Sequence, residues 1–203
     1  INRVENPGGS ALTRERLSGA DVAVEFTRPE SAVGNLERLI ELGIPTVTGT
    51  TGWAEELPRV TELVQRRGAA LLHAANFSVG VHLFFHAARD LARQFRGRPE
   101  FAVAIQEEHH AAKVDAPSGT ALLLQRQLWA EEPGRRFPIT SVRSGETPGT
   151  HTLTYEGPFE TITLSHVTRS RQVFASGALS AAEWLPGRTG VFTFEDMLFG
   201  AAG

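Results

Sequence analysis

Along the first 78 residues, short apolar runs alternate with stretches of helical period. Asp21 to Thr27 reads as a short buried strand closed by Arg28-Pro29. After it, Val33, Leu36, Leu39, Ile40 and Leu42 recur at helical spacing, with Ser31 as a cap and Gly43 as a stop. Ile44 to Thr48 is a second strand and runs straight into Gly49-Thr50-Thr51-Gly52. A helical pattern from Ala54 to Arg67 stops at Gly68, and Ala69 to Ala75 is a third apolar strand ending at Asn76-Phe77-Ser78. Strand, helix, strand, helix, strand with turn residues after every strand predicts parallel βαβ units. The ligands of such units sit outside the C-terminal strand ends. Phe26-Thr27-Arg28, Gly49 to Gly52 and Ala74 to Phe77 all fall there, and three small-residue loops on one rim suit an extended ligand such as a dinucleotide. The same small residues would also serve plain strand-to-helix turns. Gly-Thr-Thr-Gly has no phosphate-binding lysine, and no Gly-x-Gly-x-x-Gly occurs in the chain.

From Val79 the pattern changes. Val81, Leu83, Phe84, Ala87, Ala88, Leu91 and Phe95 predict a long amphipathic helix broken at Gly97 and Pro99. Phe101, Val103 and Ile105 alternate with Ala102, Ala104 and Gln106 as a strand, and a helix follows from Ala121 to about Trp129. Strands are then expected at Ile139–Arg143, His151–Tyr155, Thr161–Thr168 and Arg171–Ala175, with turns at Pro148-Gly149 and Gly157-Pro158. Helices are expected at Gly177–Leu185 and Phe194–Phe199. The fold class is therefore α/β: a Rossmann-like parallel-sheet domain, N-terminally incomplete, and an α+β domain with a mainly antiparallel or mixed sheet. Residues 2–19 are polar and turn-rich, with Asn6-Pro7-Gly8-Gly9 as the clearest breaker.

Composition narrows the function classes. A net charge of -3 and a pI near 6.2 argue against a nucleic-acid or anionic-membrane partner. The absence of cysteine removes disulfides and thiolate metal sites and fits a cytoplasmic enzyme. No signal peptide is legible. Because Ile1 is not an initiator methionine, an upstream segment is expected before these residues.

The densest chemistry lies in Glu107-Glu108-His109-His110-Ala111-Ala112-Lys113-Val114-Asp115-Ala116-Pro117-Ser118-Gly119-Thr120. A loop so rich in titratable groups is costly to bury and unnecessary for folding, which makes it a site candidate. If the strand ends near Glu108, His109 and His110 point to opposite sides, so only one of them faces a given reacting atom. Histidine suits proton donation at neutral pH, and Lys113 offers a fixed charge or a second proton. Pro117-Ser118-Gly119-Thr120 reads as a helix entry, capped by Ser118 or Asp115, whose amides suit a carboxylate. These parts imply an anionic small molecule that receives a proton. Two other chemistries remain open: a metal site from His109, His110 and Asp115 with His151 or His166, and a serine nucleophile at Ser118. Neither shows its usual spacing. A solvated polar loop would account for one or two of these residues. His73, His82 and His86 read as packing or surface residues, and Trp53, Trp129 and Trp184 as core or interface.

Glu-x-His-His-x-x-Lys-x-Asp-x-Pro-Ser-Gly-Thr-Ala, Glu107 to Ala121, resembles the signature of the dihydrodipicolinate reductase (4-hydroxy-tetrahydrodipicolinate reductase) family. Phe26 to Glu30, Gly49 to Gly52, Ala75 to Ser78, Arg143-Ser144-Gly145, Gly149-Thr150-His151, Ser170-Arg171 and Phe174 to Ala178 are similar to further family blocks in the same order. The resemblance implies NADH- or NADPH-dependent reduction of a cyclic dicarboxylate to tetrahydrodipicolinate in diaminopimelate and lysine biosynthesis. By it, His109 is the proton donor and Lys113 the second catalytic cation. His110, Ser118, Gly119, Thr120 and Arg171 hold the substrate carboxylates. Gly49, Thr50, Thr51, Ala74, Ala75, Asn76 and Phe77 line the nicotinamide end, with Arg28 nearby, and no metal is implied. The family's opening strand and glycine-rich pyrophosphate loop are not among these residues, and Asn2 and Arg3 fall about where the adenosine ribose is read. The resemblance also implies a homotetramer built through the second domain's sheet. Its domains would be residues 1–78 with 190–203, for the dinucleotide, and residues 79–189, for substrate binding and oligomerisation. Two alternatives are a non-catalytic relative that binds a dicarboxylate or nucleotide, and a metal-dependent hydrolase.

Overall fold

The computed structural model of the chain describes residues 12–200. The expected turn at Asn6–Gly9 and the ribose position of Asn2 and Arg3 lie outside them. The described residues up to Ser78 and from Phe174 onward form one compact unit, and Val79–Val173 form the other. Among the described residues there are two four-stranded sheets.

The first unit carries β1 (Ala23–Glu25), α1 (Pro29–Glu41), β2 (Thr46–Thr48), α2 (Leu57–Arg67) and β3 (Ala70–His73). Its sheet has the order β1-β2-β3-β8, where β8 is Gly190–Thr193, and every pair is parallel. Alternation on β3 explains why the strand is apolar throughout. Leu71 packs among Leu36, Val60 and Val64 of the two helices, whereas Leu72 joins Val47, Ala181, Leu185 and Phe194 on the opposite face. Gly68 closes α2 at φ 59°, a left-handed geometry that lets its amide reach back to the last carbonyls.

Three expectations are corrected here. Helix α1 begins at Pro29, with Arg28 rather than Ser31 at its cap, because proline already holds the helical φ and needs no amide donor. Arg171–Ala175 is not a strand: α5 runs Gln172–Trp184, and its Gly177, Ala178, Ala181 and Ala182 face the first unit's core. A Cβ at Gly177 would sit 1.8 Å from the Phe77 carbonyl oxygen, so glycine permits that approach. The chain consequently rejoins the first unit at Phe174, not at residue 190. Strand β8 was not foreseen at all. Thr193 ends it and caps α6 (Phe194–Phe199) in a reciprocal capping box with Asp196.

The second unit holds α3 (Val79–Phe95), β4 (Ala102–His109), α4 (Gly119–Glu131), β5 (Ile139–Arg143), β6 (Gly149–Glu156) and β7 (Thr161–Thr168). Its sheet has the order β5-β4-β6-β7, with β4 and β5 parallel and the other pairs antiparallel. Helices α3 and α4 cover one face through Phe84, Phe85, Ala88, Leu124 and Leu128 against Ile105, Leu153 and Tyr155. The other face exposes Ala102, Ala104 and Gln106 on β4 and Thr161, Thr163 and Ser165 on β7. Of the tryptophans, Trp53 is buried and Trp129 is 56% exposed. No helix among the described residues is long and apolar enough to cross a membrane.

Candidate active site

Strand β4 runs three residues past Gln106, and its alternation settles what the charged loop can do. Val103, Ile105, Glu107 and His109 face inward, so a carboxylate and an imidazole enter the interior side by side. Glu107 is fully buried and His109 is 7% exposed, while His110, the next residue, turns to a half-buried position on the loop. Parallel pairing sets His109 opposite Arg143 on β5, and antiparallel pairing sets Glu107 opposite His151 on β6.

Glu107 is enclosed by donors. Its Oε1 accepts from Arg143 Nη2 at 2.7 Å and from the Ser118 amide at 3.3 Å, and its Oε2 contacts His109 Nδ1. Burial alone would raise this carboxyl. The bonds from Arg143, Ser141 and His109 prevail and hold it down at about 2. An ionised carboxylate only accepts, so Nδ1 carries the proton and Nε2 is the free ring nitrogen of His109. Nε2 lies beside Gly149, where a Cβ would stand 2.9 Å from it. Burial pushes the His109 imidazole below its usual value, Glu107 opposes this, and Lys113 and Arg143 add to it.

Ser118 sits at the centre of a second set of bonds. Its hydroxyl accepts from the Ala121 amide at 3.2 Å, capping α4, and lies 3.2 Å from His151 Nε2. His151 is 4% exposed, and desolvation, with His109 nearby, depresses it to about 4, so it stays neutral at physiological pH. Arg143 also donates to the Asp115 carbonyl at 2.6 Å, anchoring the loop over the strand ends. The Ala116–Pro117 peptide is cis.

The remaining predicted residues of this unit divide by exposure. Lys113 is half-buried and its Nζ donates to Asp115 Oδ1 at 2.6 Å. That bond, with smaller help from the Gly119 amide, holds the Asp115 carboxyl below its ordinary range. Gly119 and Arg171 are exposed and Thr120 is half-buried. Ser118 is 2% exposed with its hydroxyl engaged in the cap, so it shapes the turn rather than presenting itself. The loop main chain is pinned by the His110 amide on the Thr147 carbonyl at 2.8 Å and the Ser144 amide on the His109 carbonyl at 3.0 Å.

Glu107, His109 and His151 bring one oxygen and two ring nitrogens within 4.8 Å of one another, close enough for one divalent ion. Of the residues weighed for a metal from sequence, only His109 and His151 belong to this group. The Arg143 guanidinium already neutralises the Glu107 carboxylate, so the cluster is a charge-balanced hydrogen-bond network rather than a vacant anionic site. Sequence reasoning overlooked Glu107 as a partner of His109, although residues two apart on a strand share a face. It also had no local signal for Arg143, which pairs 36 residues away.

In the first unit, the strand ends form a rim of backbone and small side chains. A cleft of about 290 Å³ is lined by Phe26, Thr27, Pro29, Gly49, Thr50 and Thr51. The Thr27 amide donates to Thr50 Oγ1 at 2.8 Å, tying two loops together. A Cβ at Gly49 would overlap the Phe26 ring at 2.1 Å, so only glycine lets them meet. Beneath them, Glu25 is 5% exposed and accepts from Thr48 Oγ1 at 2.5 Å and the Thr27 amide at 3.1 Å. Arg28 is exposed, Ala74 and Asn76 are half-buried and Ala75 is exposed. The Phe77 ring is buried against Phe26 and Phe194, leaving its backbone to the rim. The rim presents main chain and small side chains, a lining compatible with a flat ligand.

Comparison with known proteins finds one family across nearly the whole chain. The model of the dihydrodipicolinate reductase N-terminus matches residues 9–77, and that of the C-terminus matches residues 80–198. A 4-hydroxy-tetrahydrodipicolinate reductase of Christiangramia forsetii is 39% identical over 189 residues, covering 88% of this chain and 79% of the relative. That of Neisseria gonorrhoeae is 35% identical over 201 residues, covering 90% and 74%. A dipicolinate-bound dihydrodipicolinate reductase from Paenisporosarcina sp. TG-14 has a similar fold, with a TM-score of 0.78 at 24% identity over 93% of this chain and 78% of that one. A probable dehydrogenase from Thermotoga maritima shares the fold more distantly, at a TM-score of 0.54 and 8% identity over 88% and 74%.

Proposed function

Since the chain belongs to the dihydrodipicolinate reductase family, we propose a division of labour among its residues in that family's reaction. The activity is NAD(P)H-dependent reduction of 4-hydroxy-tetrahydrodipicolinate in lysine and diaminopimelate biosynthesis. When bound, the nicotinamide supplies a hydride. Gly49, Thr50, Thr51, Ala74, Ala75 and Asn76, with the Phe77 backbone and Arg28 close by, hold and orient its ring.

The substrate is a small cyclic dicarboxylate, in keeping with the dipicolinate that the Paenisporosarcina relative binds. Its carboxylates are taken by Gly119 and Thr120 at the start of α4, by His110 and by Arg171, with Ser118 shaping the turn. Helix N-terminal amides and a guanidinium both favour anions. Lys113 supplies a fixed positive charge at the same loop, and in taking a substrate carboxylate it exchanges its bond to Asp115 for a new one. Loss of the substrate's hydroxyl as water leaves a carbon–carbon double bond in the ring; the hydride would add to one of its carbons, and His109 gives a proton from Nε2 to the other. The observation that carries this reading is His109 itself, buried at the end of β4 with one ring nitrogen committed and the other lying against Gly149, which has no side chain to cover it.

The test is turnover of freshly made substrate by the full chain, followed as NAD(P)H oxidation with NADH and NADPH in separate arms. His109→Gln should lower kcat by roughly 10²–10⁴-fold, the usual worth of a positioned proton donor. Full turnover by that variant would reject His109 as the acid. We further propose a homotetramer joined through the outer face of the second sheet, where Ala104, Thr161, Thr163 and Ser165 leave a flat surface of small side chains. Light scattering at a monomer mass would overturn it.

A further inference from the structure

We propose that Glu107 is a positioning residue for His109: it locks the imidazole with the proton on Nδ1, aims Nε2 at the substrate, and links that aim to the turn that receives the substrate carboxylate. This rests on the reading of His109 as proton donor and adds what makes the donor competent.

Three contacts carry the inference. Oε2 of Glu107 engages His109 Nδ1, so the ring can neither flip nor present the other nitrogen. Oε1 is held by Arg143 Nη2 at 2.7 Å, which keeps the carboxylate ionised in a fully buried position. Oε1 also accepts the Ser118 amide at 3.3 Å, and Ser118 is the cap of α4. Any tightening of the α4 N-terminus on an anion is therefore transmitted to the same carboxylate that holds His109. A solvated surface glutamate would make none of these bonds. A purely structural ion pair would not need to end on the imidazole whose second nitrogen is kept clear by glycine at position 149.

The proton balance is simple. The imidazolium loses its Nε2 proton to the substrate carbon while Nδ1–H stays on Glu107. The neutral ring is then reprotonated at Nε2 from water before the next turnover. Glu107 stabilises the imidazolium throughout and gives up no proton itself, which is why an anchored, ionised carboxylate is needed there.

The charged and titratable groups facing His109 are Glu107, Lys113, Arg143 and His151. Only Glu107 favours the protonated ring, so Glu107→Gln should move the alkaline fall of kcat/KM to lower pH by about one unit. It should also lower kcat about 100-fold, with KM for the dicarboxylate changed less than about threefold. In the double variant with His109→Gln, the Glu107 substitution should cost nothing further, because it acts only through the ring. Wild-type kcat and an unchanged pH profile in Glu107→Gln, beside an impaired His109→Gln, would overturn this inference and leave the donor assignment standing. Unimpaired His109→Gln would instead remove the donor assignment on which it rests. If Glu107→Gln does not fold, nitrogen NMR of the wild-type ring through its titration decides: both nitrogens should carry protons at low pH and Nδ1 alone should keep its proton once the ring is neutral, whereas a neutral ring protonated at Nε2 would overturn the proposal.

Discussion

Both units bury a glutamate near the end of a strand, Glu25 as the last residue of β1 and Glu107 two residues before the end of β4, and the two are held by different kinds of partner. Glu25 is ringed by neutral donors, the hydroxyls of Thr27 and Thr48 and the Thr27 amide. Glu107 meets a guanidinium and an imidazole as well as an amide. Neutral donors fix where a loop goes, and around Glu25 they stitch together the rim at the strand ends. A permanent cation also fixes the charge of the carboxylate, and with it the protonation of whatever that carboxylate touches. Burial of an acid at a strand end is thus common to both units. The identity of its partners separates a neutral scaffold from a network of fixed charge.

The contrast breaks most sharply at Arg143. Arg143→Met should cost roughly 3–5 kcal/mol in urea denaturation, because it strands a buried carboxylate, and should abolish most turnover. A loss below about 1 kcal/mol would mean that Glu107 is no more dependent on its cation than Glu25 is.

Acid should separate the units next. His151 binds a proton at its ordinary 6.5 when unfolded and only at about 4 when folded, so between those values the unfolded chain holds more protons. Stability therefore falls as pH drops from 6.5 to 4, by roughly 3 kcal/mol from this residue. Glu107 adds a second loss below its ordinary 4.5, complete only as pH approaches 2, because its folded form prefers to stay ionised. Melting curves across this range should show the second unit leading. His151→Gln should flatten the upper part, and an unchanged slope would discount the buried histidine.

The smallest effect is expected at Glu25→Gln. It keeps the side chain's shape and sacrifices one acceptor among neutral donors, at about 1–2 kcal/mol. KM for NAD(P)H should rise while the pH profile of kcat/KM stays as in the wild type. A moved profile would place Glu25 in the proton chemistry and erase the distinction.

Much of this was legible before any coordinates. The βαβ alternation, the stop at Gly68 and the helix entry at Ser118 are local patterns with local causes, and each holds to within a few residues. So does the rim at Gly49–Thr51. Errors arose where local signals compete. Val173 to Ala175 form a short apolar run like that of a buried strand, yet the small face of Gly177, Ala178 and Ala181 against the core makes them helix. Gly190–Thr193 is too short to declare itself and becomes a strand by pairing with Ala70–His73.

By itself, then, the sequence determined the two architectures, most of their elements and the loop densest in titratable groups, because helical and strand periods are properties of neighbouring residues. Tertiary structure alone decided which charges meet. Arg143 reaches Glu107 only through the parallel register of β4 and β5. His151 lies opposite Glu107 only through the antiparallel register of β4 and β6. The rim at Glu25 likewise exists because β1 and β2 end in step. Register sums many weak backbone and packing terms over distant segments, and no run of neighbouring residues encodes it.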